Sequence, residues 1–72
     1  MNTQNKRLIM YLNEHNSITQ LEALNELGIL RLASRINDLK KEGHDIVGEM
    51  VEVLNRFQEK VRVKRYYLLK NT

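Results

Sequence analysis

Cysteine, proline and tryptophan are absent from this 72-residue sequence, and histidine occurs only twice. Without cysteine there is no disulfide and no thiolate zinc ligand, and two isolated histidines lack co-ligands for a metal. No apolar run approaches the roughly 20 residues that span a bilayer, and the polar-interrupted N-terminus does not fit a signal peptide. We therefore expect a cytoplasmic protein with no membrane contact, no metal site and no other cofactor.

Motifs of catalysis are missing as well. The chain has no glycine-rich phosphate loop, no paired-carboxylate motif and no nucleophilic cysteine, and its acids are spread over predicted helix surfaces. We do not expect an enzyme.

The composition is that of a small folded protein, with 42% hydrophobic and 29% charged residues. The hydrophobic core of a chain this short gives only marginal stability and usually needs a disulfide, a structural metal or a binding partner in addition. Since neither disulfides nor zinc can serve, a homodimer or stabilisation by a ligand is expected.

Positive charge is concentrated in the last part of the chain. Residues 1–55 carry six basic and eight acidic side chains, whereas residues 56–72 carry six basic and one acidic. A basic C-terminal third suggests a polyanionic partner, although a solvated charged surface explains the charge equally well.

The first predicted helix covers residues 4–14. Its apolar face consists of Leu8, Ile9 and Leu12, and Asn16 suits the left-handed position that ends a helix. The next three residues, Ser-Ile-Thr, favour a short strand that pairs with the later hairpin.

The second predicted helix covers residues 20–27 and begins at a capping box formed by Thr19 and Glu22. Gly28 supplies the positive φ that ends it. Leucines three positions apart predict its apolar stripe, namely Leu21, Leu24 and Leu27.

The third predicted helix covers residues 30–42 and stops at Gly43. At about 100° per residue, its core stripe of Leu32, Ile36 and Leu39 spans roughly 60°. Ala33 lies at one flank of this stripe, and the residues that point away from it are Arg31, Ser34, Asn37, Asp38 and Lys41.

After Gly43 the hydrophobic period changes to two, which predicts strands over residues 46–54 and 60–69 joined by a loop at 55–59. Gly48 marks a bulge or a close backbone approach. The expected fold is mainly α with a small antiparallel hairpin: one winged helix-turn-helix domain over residues 1–72, with the hairpin as the wing.

Double-stranded DNA is the expected partner, with the third helix in the major groove. Its candidate base and phosphate contacts are Arg31, Ser34, Arg35, Asn37, Asp38 and Lys41. At the start of the second helix, Thr19 and Gln20 could hold phosphate through backbone amides. Phosphate or minor-groove contacts are expected from the wing, at Arg56, Lys60, Arg62 and Lys64.

Several of these residues have structural interpretations that the sequence leaves open. Arg35 lies beside the core stripe and could pair with Glu22 or Asp38 to brace the helices. Lys41, with its neighbour Lys40, could complement the helix dipole. Tyr66 and its neighbour Tyr67 fit sheet packing better than base stacking.

The stretch ITQLEALNELGILRLASRINDLKKEGHDI resembles the small winged helix-turn-helix proteins common in bacteriophage and prophage genomes. The matching positions are Ile18, Thr19, Glu22, Ala23, Leu27, Gly28, Ile29, Arg31, Leu32, Arg35, Ile36, Leu39, Gly43, His44 and Ile46. Residues 64–68 resemble the closing strand of that family, and Asn16 departs from its frequent glycine. The resemblance implies DNA binding, with Arg31 and Arg35 facing the DNA.

Two main classes of function follow, beside a third interpretation, a structural dimerisation domain that uses the first helix and the wing. The first is a sequence-specific DNA-binding protein of phage type, acting as a small transcriptional regulator or a recombination accessory factor in a bacterial host. The second is a winged-helix module that binds a host or phage protein, for example an inhibitor of a host nucleoprotein.

Overall fold

The structure, a computed structural model, describes residues 3–69. The described chain forms three helical segments and a sheet of three strands. In chain order the elements are α1 (Thr3–His15), β1 (Ser17–Thr19), α2 (Gln20–Glu22) continued by a π-helical stretch (Ala23–Leu27), α3 (Leu32–Lys41), β2 (Ile46–Leu54) and β3 (Lys60–Leu68). The sheet is antiparallel in the order β1-β3-β2, so the predicted short strand does pair with the hairpin.

The fold is mixed α/β, which corrects the expectation of a mainly α protein. The two long strands have nine residues each, which is close to the ten residues of α3, and α2 has only three. Element ends also differ from prediction. The first helix is longer by one residue at each end, and α3 starts at Leu32 instead of 30, because Arg31 has non-helical angles (φ −117°, ψ 70°). Residues 1–2 and 70–72 of the expected domain lie outside the described residues.

The predicted leucine stripe of the second helix is wrong at two of its three positions, while Leu27 is half-buried and packs against the core as expected. Leu21 is 66% and Leu24 42% exposed, while Ala23 and Ile29 are fully buried. The reason is the π-helical stretch, whose wider turn breaks the three-residue spacing on which the prediction depended. Burial therefore falls on Ala23, within the π-helical stretch, and on Ile29, directly after Gly28.

One hydrophobic core lies between the helices and the base of the sheet. As predicted, α1 buries Leu8 and Leu12, and α3 buries Leu32, Ile36 and Leu39. The sheet adds Ile18 and Ile46, and Tyr66 and Leu68 pack against the same cluster. The wing is thus anchored only where it joins the helices, since residues 52–54 and 56–60 are all exposed.

Left-handed residues end the helices where the sequence predicts them. Asn16 has φ 70° and its N–H donates to Leu12 at 2.8 Å, Gly28 has φ 69°, and Gly43 has φ 101°. At the end of α3 the N–H of Gly43 donates to Lys40 and that of His44 to Leu39, both at 3.1 Å, which is the Schellman arrangement. These stops fix where each chain segment turns.

The hairpin pairs without interruption from Ile46↔Leu68 to Leu54↔Lys60, so it contains no bulge at Gly48. The alternative, a close backbone approach, is not what the structure shows either, since the three atoms nearest to a Cβ at Gly48 all belong to the side chain of Lys64. A Cβ at Gly48 would meet the Lys64 side chain, whose stem crosses this glycine. Along the described part of the chain, no helix is long and apolar enough to cross a membrane.

Candidate nucleic-acid interface

The outward side of α3 is polar and accessible. At about 100° per residue, Ala33, Asn37 and Lys41 follow one another from the flank of the buried stripe to the side opposite it, and all three are exposed. Ser34 lies next to Lys41 on the opposite side and is half-buried. Of the predicted contacts on this helix, Asn37 and Lys41 are therefore placed as expected, and Ser34 is partly accessible.

Arg31 is exposed but lies in the turn before α3, where it occupies the N-cap position without a side-chain cap. That turn is braced by Gln20. The Gln20 amide donates to the Ile29 carbonyl at 2.9 Å and accepts from the Leu32 N–H at 3.0 Å. The side chain of Gln20 is thus occupied in holding α2 against the start of α3, which sequence reasoning did not anticipate.

Arg35 and Asp38 form an ion pair across one turn of α3, with Arg35 Nη2 and Asp38 Oδ2 3.3 Å apart. The buried Asn5 of α1 donates to the same carboxylate oxygen at 3.3 Å. This cluster faces α1, because Arg35 and Asp38 lie on the flank of α3 away from Ala33 and Asn37. The bracing interpretation of Arg35 is the one this contact supports, with Asp38 rather than Glu22 as partner.

Thr19 begins α2 through a complete capping box: its hydroxyl accepts from the Glu22 N–H, and its own N–H donates to Glu22 Oε1 at 2.9 Å. An amide has one hydrogen, so the Thr19 amide has none left for a phosphate. Thr19 is also 7% exposed. The expected phosphate contact through this amide is therefore wrong, and the capping box is the reason.

Glu22 also has a cationic partner that the sequence analysis did not assign, namely Arg65. Arg65 Nη1 of β3 lies 3.0 Å from Glu22 Oε1 and 3.1 Å from the Ser17 hydroxyl. Burial alone would raise the pKa of Glu22, but the hydrogen bonds from Thr19 and Arg65 outweigh it and hold the pKa below its ordinary 4.5. The carboxylate stays ionised and joins β1, α2 and β3.

The wing carries its basic side chains on one face. Lys60, Arg62 and Lys64 alternate along β3 and are exposed, while Val61 and Val63 occupy the other face. Their cross-strand partners on the basic face are Leu54, Glu52 and Met50. Lys64 is partly held, since its ammonium lies 5.5 Å from the centre of the Tyr66 ring.

The wing loop is an ordered structure. Asn55 Oδ1 accepts from the N–H of Phe57 at 2.9 Å and of Glu59 at 3.1 Å, and Asn55 Nδ2 donates to Glu59 Oε1 at 3.3 Å. Backbone bonds from Asn55 to Glu59 and from Gln58 to Asn55 close the loop. Arg56 and Phe57 are left exposed at its tip.

An apolar groove separates the wing from the helices. It has a volume of about 420 Å³ and lies between the starts of α2 and α3 and the distal part of the hairpin. Its lining includes Leu21, Ala33, Val53 and Leu54, all exposed in part, with Lys64 at the wing side. From α3 the lining takes only Leu32 and Ala33, and from the basic row of β3 only Lys64.

Two side chains that hold the site together by long-range hydrogen bonds could not be predicted from any local motif. Gln20 and Arg65 reach partners 12 and 43 positions away. For Arg65, the only available signals were the capping box at Glu22 and the expected pairing of the short strand with the hairpin, but the register was unknown. Among residues 3–69, no group of three potential metal ligands comes together.

Comparison with known proteins gives one result. The family model described as a winged helix-turn-helix domain matches residues 3–71. No curated protein and no solved structure matches the chain.

Proposed function

Because the chain belongs to the winged helix-turn-helix domain family, we propose that it binds double-stranded DNA in a sequence-specific manner. Its proposed role is that of a small transcriptional regulator or recombination accessory factor of phage type. The phage assignment depends on the resemblance at residues 18–46. The carrying observation for DNA binding is a candidate surface of two parts, the exposed polar side chains Asn37 and Lys41 of α3 and the row of exposed basic side chains of β3.

The two parts of this surface have different tasks. On α3, the amide of Asn37 suits adenine edges, and Lys41 suits guanine edges or phosphate. Arg31 precedes the first turn of α3, which usually enters the groove most deeply. On the wing, Arg62 and its basic neighbours add affinity and salt dependence through phosphate contacts.

Asp38 and Arg35 have a supporting task in this proposal. Their pairing with each other and with Asn5 fixes the rotation of α3 about its axis, which decides which side chains face the groove. Gln20 acts similarly on the start of α3. These three side chains thus position the residues that read the DNA.

Selection of bound duplexes from a random pool, repeated at two salt concentrations, tests the proposal. The full chain should enrich one motif, and Arg31→Glu and Arg62→Glu should each weaken binding to the enriched duplex. Both side chains are exposed, so folding should be preserved and circular dichroism should be unchanged.

Arg7→Glu is the matched control. Arg7 is also exposed and its substitution makes the same charge change, but it lies on α1, which packs against the buried side of α3. It should leave affinity close to that of the unchanged chain. Unchanged affinity for Arg31→Glu and Arg62→Glu at low salt, or no enriched motif, contradicts sequence-specific DNA binding.

The apolar groove favours a second candidate, a module that binds a protein. Leu21 and Leu54 are 66% and 59% exposed at its border, more apolar surface than a phosphate contact uses. Capture of a stoichiometric protein from nuclease-treated host lysate would favour this candidate, and loss of capture with nuclease would favour DNA. Size measurement in solution tests the expected homodimer.

A further inference from the structure

The only phenylalanine of the chain lies at the tip of the wing. Phe57 is 72% exposed, although every other residue of the loop, Asn55, Arg56, Gln58 and Glu59, is polar or charged. A single exposed apolar side chain is ordinary on a protein surface. This one is distinguished by the way its backbone is held.

The loop fixes Phe57 from both sides. The Asn55 side chain accepts the Phe57 N–H at 2.9 Å and the Glu59 N–H at 3.1 Å, so it clamps the loop around Gln58. Gln58 itself has φ 64°, a left-handed conformation that non-glycine residues rarely adopt. A loop that holds such a conformation keeps the Phe57 backbone in place at the tip before any partner arrives, which lowers the entropy lost on binding.

Positive charge surrounds this aromatic tip. Arg56 precedes it, and Lys60 and Arg62 follow on the exposed basic face of β3. The nearby acid, Glu59, is turned back toward Asn55 Nδ2 at 3.3 Å. The tip therefore combines an outward apolar wedge with cations that can hold the two flanking phosphate rows.

The hairpin also has reach. Residues 50–54 and 60–64 continue beyond the part of the wing that packs against the core, and at about 3.3 Å per residue they extend roughly 15 Å. A hairpin of this length beside α3 can enter the groove next to the one that α3 occupies.

On these grounds we propose that Phe57 is a wedge that enters the minor groove, inserts between two base pairs and kinks the DNA. The proposal rests on the proposed function. Apolar side chains that insert between base steps partly unstack them and bend the duplex by about 20–90°. The protein would thus choose its sites partly by their flexibility, with preference for pyrimidine–purine steps at the wing.

Fluorescence tests the wedge directly. The duplex enriched by the selection is labelled at both ends for energy transfer, and each adenine near the wing is replaced in turn by 2-aminopurine. Binding of the full chain should shorten the end-to-end distance and brighten 2-aminopurine at one step. Phe57→Ala should abolish both signals and lower affinity about tenfold, the scale of a lost base–aromatic contact.

Two variants serve as controls. Phe57→Leu keeps an apolar wedge and should retain most of the bend. Met10→Ala removes an apolar side chain that is 57% exposed on α1 and should change neither signal. Both variants and Phe57→Ala should keep the thermal midpoint, because neither Phe57 nor Met10 is buried.

The outcomes separate the two proposals. If the full chain binds the duplex without bending or unstacking it, or if Phe57→Ala retains both signals, the wedge is wrong and the proposed function stands. If Phe57→Ala loses affinity while the bend persists, Phe57 is a surface contact and the wedge is again wrong. If no duplex is enriched at low salt, both proposals are wrong.

Discussion

Glu22 and Arg65 are 43 positions apart in the sequence and 3.0 Å apart in the fold. The same carboxylate oxygen accepts the Thr19 N–H at 2.9 Å, so one atom joins the start of α2 to the middle strand of the sheet. Because β3 is also the strand that carries the basic face of the wing, this contact sets how the wing lies against the helices.

Arg65→Met should destabilise the fold by about 1–2 kcal/mol, the usual range for losing a hydrogen bond to a charged group that is only partly buried. Methionine keeps the apolar stem of the side chain and removes only the guanidinium. Urea unfolding followed by circular dichroism measures the change.

Arg62→Met is the matched control for that variant. Arg62 lies three positions away on the same strand, but it is exposed on the basic face of the wing. Its stability change should stay within about 0.5 kcal/mol, as for most surface substitutions. Equal losses for both variants would mean that the contact with Glu22 contributes nothing specific.

The lowered pKa of Glu22 predicts a stability that depends on pH. Burial opposes ionisation, but the bonds from Thr19 and Arg65 prevail, so the folded pKa lies below the ordinary 4.5. The unfolded chain therefore binds the proton more tightly. The stabilisation is complete above pH 4.5 and is lost as the pH falls through the folded value.

Unfolding free energies measured in urea between pH 6 and pH 3 check this sign. Glu22→Gln should be less stable than the unchanged chain near neutral pH and should lose less stability on acidification. Arg65→Met removes one of the two causes and should move the loss to higher pH. A Glu22→Gln curve parallel to that of the unchanged chain would assign the acid dependence to other groups.

Much of the fold could be predicted because local chemistry determines it. The capping box at Thr19, the left-handed stops at Asn16, Gly28 and Gly43, and the change of period after Gly43 all depend on neighbouring residues. The strand over residues 46–54 was placed at its observed bounds for the same reason.

The remaining features depend on contacts that a one-dimensional pattern does not contain. The π-helical stretch alters which side of the second helix is buried, and no residue type in it predicts a π-helix. The partner of Glu22 required the register of β3 against β1, and the brace by Gln20 required the angle between two helices. The DNA-contacting roles of Asn37 and Lys41 stay predictions.

The exposed position of Leu24 in the second helix predicts that its truncation costs less than that of a buried leucine, Leu39 of α3. Leu39→Ala should destabilise by about 2–5 kcal/mol, because Leu39 is fully buried and its loss leaves a cavity. Leu24→Ala should cost less than about 1 kcal/mol, because Leu24 is 42% exposed and alanine favours helix. Thermal or urea unfolding of both variants distinguishes this structure from the regular leucine stripe, which requires similar costs.

Base readout and phosphate contact should separate when affinity is measured against salt. Each cation that neutralises a phosphate contributes about −0.9 to the slope of log affinity against log salt. Arg62→Ala should therefore reduce the slope by about one and weaken enriched and unrelated duplexes alike. Asn37→Ala should leave the slope unchanged and weaken only the enriched duplex, by about 1–3 kcal/mol, as expected when one bidentate base contact is lost.

Lys6→Ala on α1, an exposed cation outside the interface, is the control and should alter neither the slope nor the affinity. A slope change for Asn37→Ala, or a loss of preference with Arg62→Ala, would reverse the roles assigned to α3 and the wing.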